Sequence, residues 1–149
     1  MYRFIPADVT HIEPLLENIT PDVKEELIAL KGEDVYDTIK QCIEEADEAW
    51  TAFGSEGLIC IFGVRGTSIL GGKAFPWLLT TTLVQKHKRN FLKGAKLSID
   101  HWFRQYDVLE NFIPAGFDRL LKWLKWAGFT VYPAVPVGTR LLHRIEMRK

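Results

Sequence analysis

Five basic side chains crowd one short stretch: Lys86, Lys88, Arg89, Lys93 and Lys96. They belong to a longer segment, residues 57–99, that holds seven bases and no acid. Positive charge at that density attracts phosphate, on a nucleotide-like ligand or on a nucleic acid. Residues 1–56 hold fourteen acids and four bases, so pairing between the two segments is the alternative reading. The sequence carries no Ser-His-Asp set, no P-loop and no metal-ligand spacing. No side chain is therefore assigned a catalytic or metal-binding role. His87 lies inside the basic run and reads as a solvated side chain. Cys42 and Cys60 form no CxxC and read as two reduced core thiols.

As a nucleic-acid footprint the run can touch phosphates but offers no base-reading module. Nucleic acid is not the expected partner, and any contact with it would be sequence-independent.

The elements that must hold this run follow from periodicity. Tyr2–Ile5 reads as a short strand. A helix then starts at Asp8 or Thr10, where Thr10 and Glu13 have capping-box spacing. Its apolar face is Ile12, Leu15, Leu16 and Ile19. Pro21 opens a second helix that ends near Gly32. Asp34 opens a third, with Val35, Ile39, Cys42, Ile43 and Ala46 on one face and acids on the other. The period then changes to two. Ala49–Phe53 and Leu58–Val64 read as strands around the turn 54–57. Residues 65–67 and Gly71-Gly72 read as turns. Ala74–Val84 reads as a buried central strand, with Pro76 near its start marking an entry point or a bulge. A long helix follows over Lys86–Tyr106, then a strand over Val108–Ile113. Phe117–Ala127 is a helix stopped by Gly128. Phe129–Tyr132 and Arg140–Met147 are the last strands, around a loop at 133–138. This order is that of a mixed α/β (α+β) sheet with helices on both faces.

The chain has 149 residues, 47% hydrophobic and 26% charged, which suits one domain over 1–149 and excludes a disordered chain. The longest apolar run, Gly57–Val64, is strand-sized, so no membrane partner is expected. The first eight residues lack the basic-then-apolar order of a secretion signal. Trp50, Trp77 and Trp102 fall in patterns that bury them. Trp126, and less strongly Trp123, fall away from the stripe formed by Phe117, Leu121 and Leu124. Their face is the expected surface for a protein partner or a second copy of the chain, unless residues 133–149 cover it.

The element order resembles the GNAT fold of acyl-CoA-dependent N-acetyltransferases. Phe4-Ile5-Pro6-Ala7-Asp8 is similar to that fold's passage from first strand to first helix. Leu124-Lys125-Trp126-Ala127-Gly128-Phe129 is similar to its last helix running through Gly-Phe into a strand. Residues 71–129 more specifically resemble the GNAT-like internal virion protein A family of short-tailed bacteriophages. The shared pattern is Trp77-Leu78-Leu79-Thr80-Thr81, the basic stretch Lys86–Lys93, Tyr106-Asp107-Val108-Leu109-Glu110-Asn111, and Arg119 through Gly128.

The resemblance implies a pyrophosphate held by backbone amides at a strand-to-helix turn that reads Gln/Arg-x-x-Gly-x-Gly/Ala. The best match is Arg89-Asn90-Phe91-Leu92-Lys93-Gly94, with leucine at the central glycine. The cofactor-binding residues implied are Leu83, Val84, Lys88, Arg89, Lys93 and Gly94. Acetyl-CoA is the ligand this implies, although no cofactor is required. Leu124 stands where many family members have a proton-donating tyrosine. Two functions remain open. One is a structural or virion-assembly role with an eroded acyl-CoA site, the partners being other phage proteins or a second copy through the Trp123/Trp126 face. The other is an active acetyl-CoA-dependent N-acetyltransferase with an unknown amine acceptor. The implied location is the host bacterial cytoplasm, with virion association as the variant.

Overall fold

The change of period near residue 48 is where helices give way to strands. In chain order the elements are β1 (Arg3–Pro6), α1 (Ile12–Glu17), α2 (Pro21–Lys31), α3 (Val35–Glu45), β2 (Glu48–Gly54), β3 (Gly57–Gly66), β4 (Lys73–Thr80), α4 (Lys88–Trp102), β5 (Val108–Pro114), α5 (Asp118–Ala127), β6 (Thr130–Val131), β7 (Val135–Val137) and β8 (Arg140–Arg148). The computed structural model describes residues 2–31, 34–67 and 72–149. Gly32 and Gly71, expected to stop a helix and to turn the chain, lie outside them. The mixed α/β order is as expected, with one addition. The loop expected at 133–138 contains β7, which pairs with β8 from Val135↔Leu142 to Val137↔Arg140.

Residues 1–65 and 77–95 form one compact unit. β1 runs antiparallel to β2, and β2 antiparallel to β3. The second half of β4 lies beside β3. The core joins Ile12 and Leu15 of α1, Leu27 of α2, Val35 and Ile39 of α3, Leu58 and Ile61 of β3, and Leu79 of β4. These are the apolar faces that the helical and strand periods mark out. Of the two expected starts the chain takes the first. Asp8, not Thr10, is the cap, because its backbone is still extended where the chain leaves β1. Its carboxylate accepts from the Thr10 amide at 2.7 Å, and its own amide donates to His11 Nδ1 at 3.3 Å. Trp77 lies across Gly63, where an added Cβ would stand 2.6 Å from Trp77 Cζ2 and from the Glu48 carbonyl.

Residues 66–76 and 96–149 form the second unit. The first residues of β4 pair in parallel with β5, at Lys73↔Val108 and Ala74↔Leu109. Beyond them the Pro76 carbonyl accepts from the side-chain amide of Asn111 at 2.8 Å. β8 runs antiparallel to β5 along seven residue pairs and also carries β6 and β7. α5 buries Leu121 and Leu124, and Gly128 ends it in the left-handed conformation with φ 112°. Glu146 is buried on β8, where Arg144 donates to it at 2.8 Å and Arg148 at 3.1 Å. Arg144 also reaches Glu110 at 3.0 Å and lies over the Tyr132 ring at 4.3 Å.

Candidate functional site: the passage from β4 into α4

The expected strand Ala74–Val84 stops at Thr80, and the cause is Thr81. This residue is fully buried; its hydroxyl donates to the Ile59 carbonyl at 2.8 Å and accepts from the Leu83 amide at 3.3 Å. Its backbone amide donates to the same carbonyl at 3.0 Å, and its hydroxyl oxygen caps the 3-10 turn over Thr82–Gln85. The end of β4 is fixed on its other edge as well. Thr20 N donates to Thr80 O at 3.0 Å, and Thr82 N to Asn18 O at 2.9 Å.

The turn spends its own amides. Val84 N donates to Thr81 O, Lys86 N to Leu83 O and His87 N to Val84 O, at 3.1–3.2 Å. The helical ladder of α4 begins when Phe91 N donates to His87 O at 2.9 Å. The amides at its N-terminus that have no helical partner are therefore those of Lys88, Arg89 and Asn90. They carry the positive end of a helix fifteen residues long.

The six expected binding residues divide by position. Leu83 and Val84 turn inward and pack with Tyr2, Leu78 and Phe91 against buried Ala52, Ile59 and Cys60. Lys88 and Arg89 lie in the first turn of α4 and are exposed. Lys93 is exposed one turn further on. Gly94 is the seventh residue of α4, where Phe4 closes on it. The stretch Arg89–Gly94 thus lies wholly inside the helix: Arg89 and Asn90 carry two of the open amides, and Leu92, Lys93 and Gly94 lie past them. Among the described residues, Lys86, Lys88, Arg89 and Lys93 pair with no carboxylate. The acidic first third pairs with other members of the acid-free segment: Glu45 takes Arg65 at 2.6 Å, and Glu56 lies 2.9 Å from His87 Nε2.

His87 is the residue that sequence reasoning missed. It is not solvated. Its side chain is 14% exposed, with Nε2 on Glu56 and Nδ1 on the Tyr2 hydroxyl. The Tyr2 and His87 rings meet edge to face at 5.1 Å. These partners lie 31 and 85 residues away, so no local signal announced them.

In the second unit Leu124 is buried and carries no proton to give. Trp126 is 54% exposed, with Lys96 Nζ held 4.5 Å from its ring centre, while Trp123 is half-buried. No helix among the described residues is long and apolar enough to cross a membrane.

No protein-family model and no curated protein matches the chain. Solved structures do. A candidate acetyltransferase superposes with a TM-score of 0.76 at 12% identity, over 99% of this chain and 85% of its own. The spermidine N-acetyltransferase of Vibrio cholerae, in complex with CoA and spermine, gives 0.72 at 7% identity, over 99% and 95%. A candidate phosphinothricin N-acetyltransferase gives 0.69 at 12%, over 99% and 98%. At such identities the likeness is one of fold, and that fold is the mixed α/β fold of GNAT acetyltransferases.

Proposed function

We propose that this chain binds an acyl-CoA at the passage from β4 into α4 and transfers its acyl group to an amine. The carrying observation is the set of open amides at Lys88, Arg89 and Asn90. Lys86, Lys88 and Arg89, all exposed, stand in the same stretch of chain without carboxylate partners among the described residues. A pyrophosphate suits that arrangement, because directed N–H groups, a helix dipole and basic side chains all favour an anion. The frame of the turn motif that fits the geometry is then Gln85-Lys86-His87-Lys88-Arg89-Asn90, which ends in the first helical turn. CoA in the spermidine acetyltransferase complex supports the ligand class. In the transfer the amine nitrogen bonds to the thioester carbon as the carbon–sulfur bond breaks. The ammonium proton is lost and the thiolate gains one. The chain's contribution under this reading is to hold the donor in place, which is itself a large part of such catalysis.

Calorimetric titration with acetyl-CoA is the test. The expected result is saturable binding that weakens when Lys88 and Arg89 are both changed to alanine, and less so in Lys93→Ala. An absence of heat up to millimolar ligand, a free energy weaker than about −4 kcal/mol, would sink the reading.

A second reading is favoured by Lys88 and Asn90 standing at the glycine positions of that frame, together with exposed Trp126. In it the acyl-CoA site is eroded and the chain serves virion assembly in a phage-infected bacterium. It would dock other phage proteins or a second copy through the Trp123/Trp126 face.

A further inference from the structure

We propose that His87 is a positioning residue that anchors the first turn of α4, and that its protonation is coupled to anion binding there. The coupling rests on the acyl-CoA reading, whereas the anchoring does not. His87 is where two hydrogen-bond patterns meet. Its amide closes the 3-10 turn on Val84 O, and its carbonyl accepts the first helical bond from Phe91 N. Whatever fixes this residue fixes the direction of the three amides that follow it.

Its side chain is fixed from two sides. The β2–β3 turn supplies Glu56, whose Oε1 lies 2.9 Å from Nε2. Gly54 in the same hairpin lies beside the ring: a Cβ there would stand in ordinary contact, 3.5 Å from Nε2. The segment before β1 supplies the Tyr2 hydroxyl to Nδ1. In the neutral ring Nε2–H donates to Glu56, and Nδ1 accepts from Tyr2. In the charged ring both nitrogens donate, and the tyrosine oxygen becomes an acceptor. The chain of contacts therefore survives either state, and only the charge changes.

The charged group in contact with the ring is Glu56 from the hairpin, and its neighbours along the chain are the exposed bases Lys86, Lys88 and Arg89. Glu56 favours the imidazolium and the three bases oppose it. An anion on the amides of Lys88–Asn90 would offset those bases and favour it further. By linkage the imidazolium then strengthens anion binding, and loss of its proton weakens it.

The experiment compares wild type with His87→Gln, Glu56→Gln and Tyr2→Phe. Hydrogen exchange of residues 81–92 should accelerate about tenfold in His87→Gln, and by less in Tyr2→Phe, which keeps the ring contact. Exchange elsewhere in β2, β3 and α3 should stay as in wild type. CoA affinity in wild type should fall between pH 6 and pH 8 about fivefold more than in His87→Gln or Glu56→Gln. Because the phosphates of CoA titrate equally for every variant, the difference between profiles isolates the protein. Unchanged exchange over 81–92, or parallel pH profiles, would overturn the proposal. If wild type binds no CoA while exchange accelerates as expected, the anchor stands and the acyl-CoA reading is what fails.

Discussion

Gly94 of α4 faces Phe4 of β1 so closely that a Cβ built on it would stand 3.4 Å from Cζ of that ring. Gly94 is thus a packing position of α4, about one turn past the last open amide at Asn90. The distance is that of an ordinary van der Waals contact. Gly94→Ala should leave the fold intact and shift stability by no more than about 1 kcal/mol, in the stabilising direction, because alanine is the better helix former. Its CoA affinity should match that of wild type; a thermal melt checks the stability and CoA titration the affinity. Loss of CoA binding in Gly94→Ala, with the melt unchanged, would restore the motif frame Arg89–Gly94.

The same comparison shows what the sequence disclosed and where it fell short. Helices α2 and α3 were legible because Pro21 and Asp34 mark their starts and because Ile39 and its neighbours repeat at helical spacing. Gly128 marked the end of α5 for a conformational reason, its positive φ. The end of β4 was not legible. Leu83 and Val84 prolong an apolar run, and only the buried Thr81 hydroxyl shows that the chain has turned. β7 was missed because all three of its residues are exposed, so burial imposes no alternation on it. His87 was missed because Tyr2 and Glu56 reach it through the fold, not along the chain.

Glu146 makes unit stability depend on pH in a stated direction. Arg144 above all, and Arg148 after it, hold its carboxyl below the ordinary glutamate value, against the opposing effect of burial. A lowered value means that the stabilisation is complete above the unfolded-state pKa. It is lost as pH falls through the folded-state one. Glu146→Gln should therefore melt below wild type at pH 7, and the gap should narrow as pH falls below the unfolded-state glutamate value. A gap that stays constant from pH 7 to pH 3 would show that the ion pairs contribute nothing net.

The two thiols should react in a fixed order. Burial pushes the Cys60 thiol up to about 12, and its side chain sits in the core against Leu83 and Phe91. At pH 8 its thiolate fraction is on the order of one in ten thousand. Cys42 is only half-buried on α3. Iodoacetamide at pH 8 should label Cys42 in the folded protein and reach Cys60 only after denaturant is added. Peptide mass spectrometry reads both sites, and early labelling of Cys60 would show that the pocket around it opens in the native state.

Trp126 carries the prediction about association. An indole more than half exposed on a helix is costly to leave in water, and Lys96 only partly shields it, from 4.5 Å above the ring. Lys122 and Lys125 on the same helix are exposed, so the surface around the ring stays soluble while their stems extend its apolar area. If this face holds two copies together, Trp126→Ala should keep the wild-type melting temperature and lose the dimer. An anchor of this kind contributes about 2 kcal/mol or more, roughly a thirtyfold weakening. The single substitution is the sharper probe, because Trp123 is half-buried and its removal also opens space beneath α5. Light scattering after size exclusion, over a tenfold range of concentration, separates the outcomes. A Trp126→Ala protein that associates as wild type does removes this face from consideration. One that melts well below wild type shows instead that the indole supports α5.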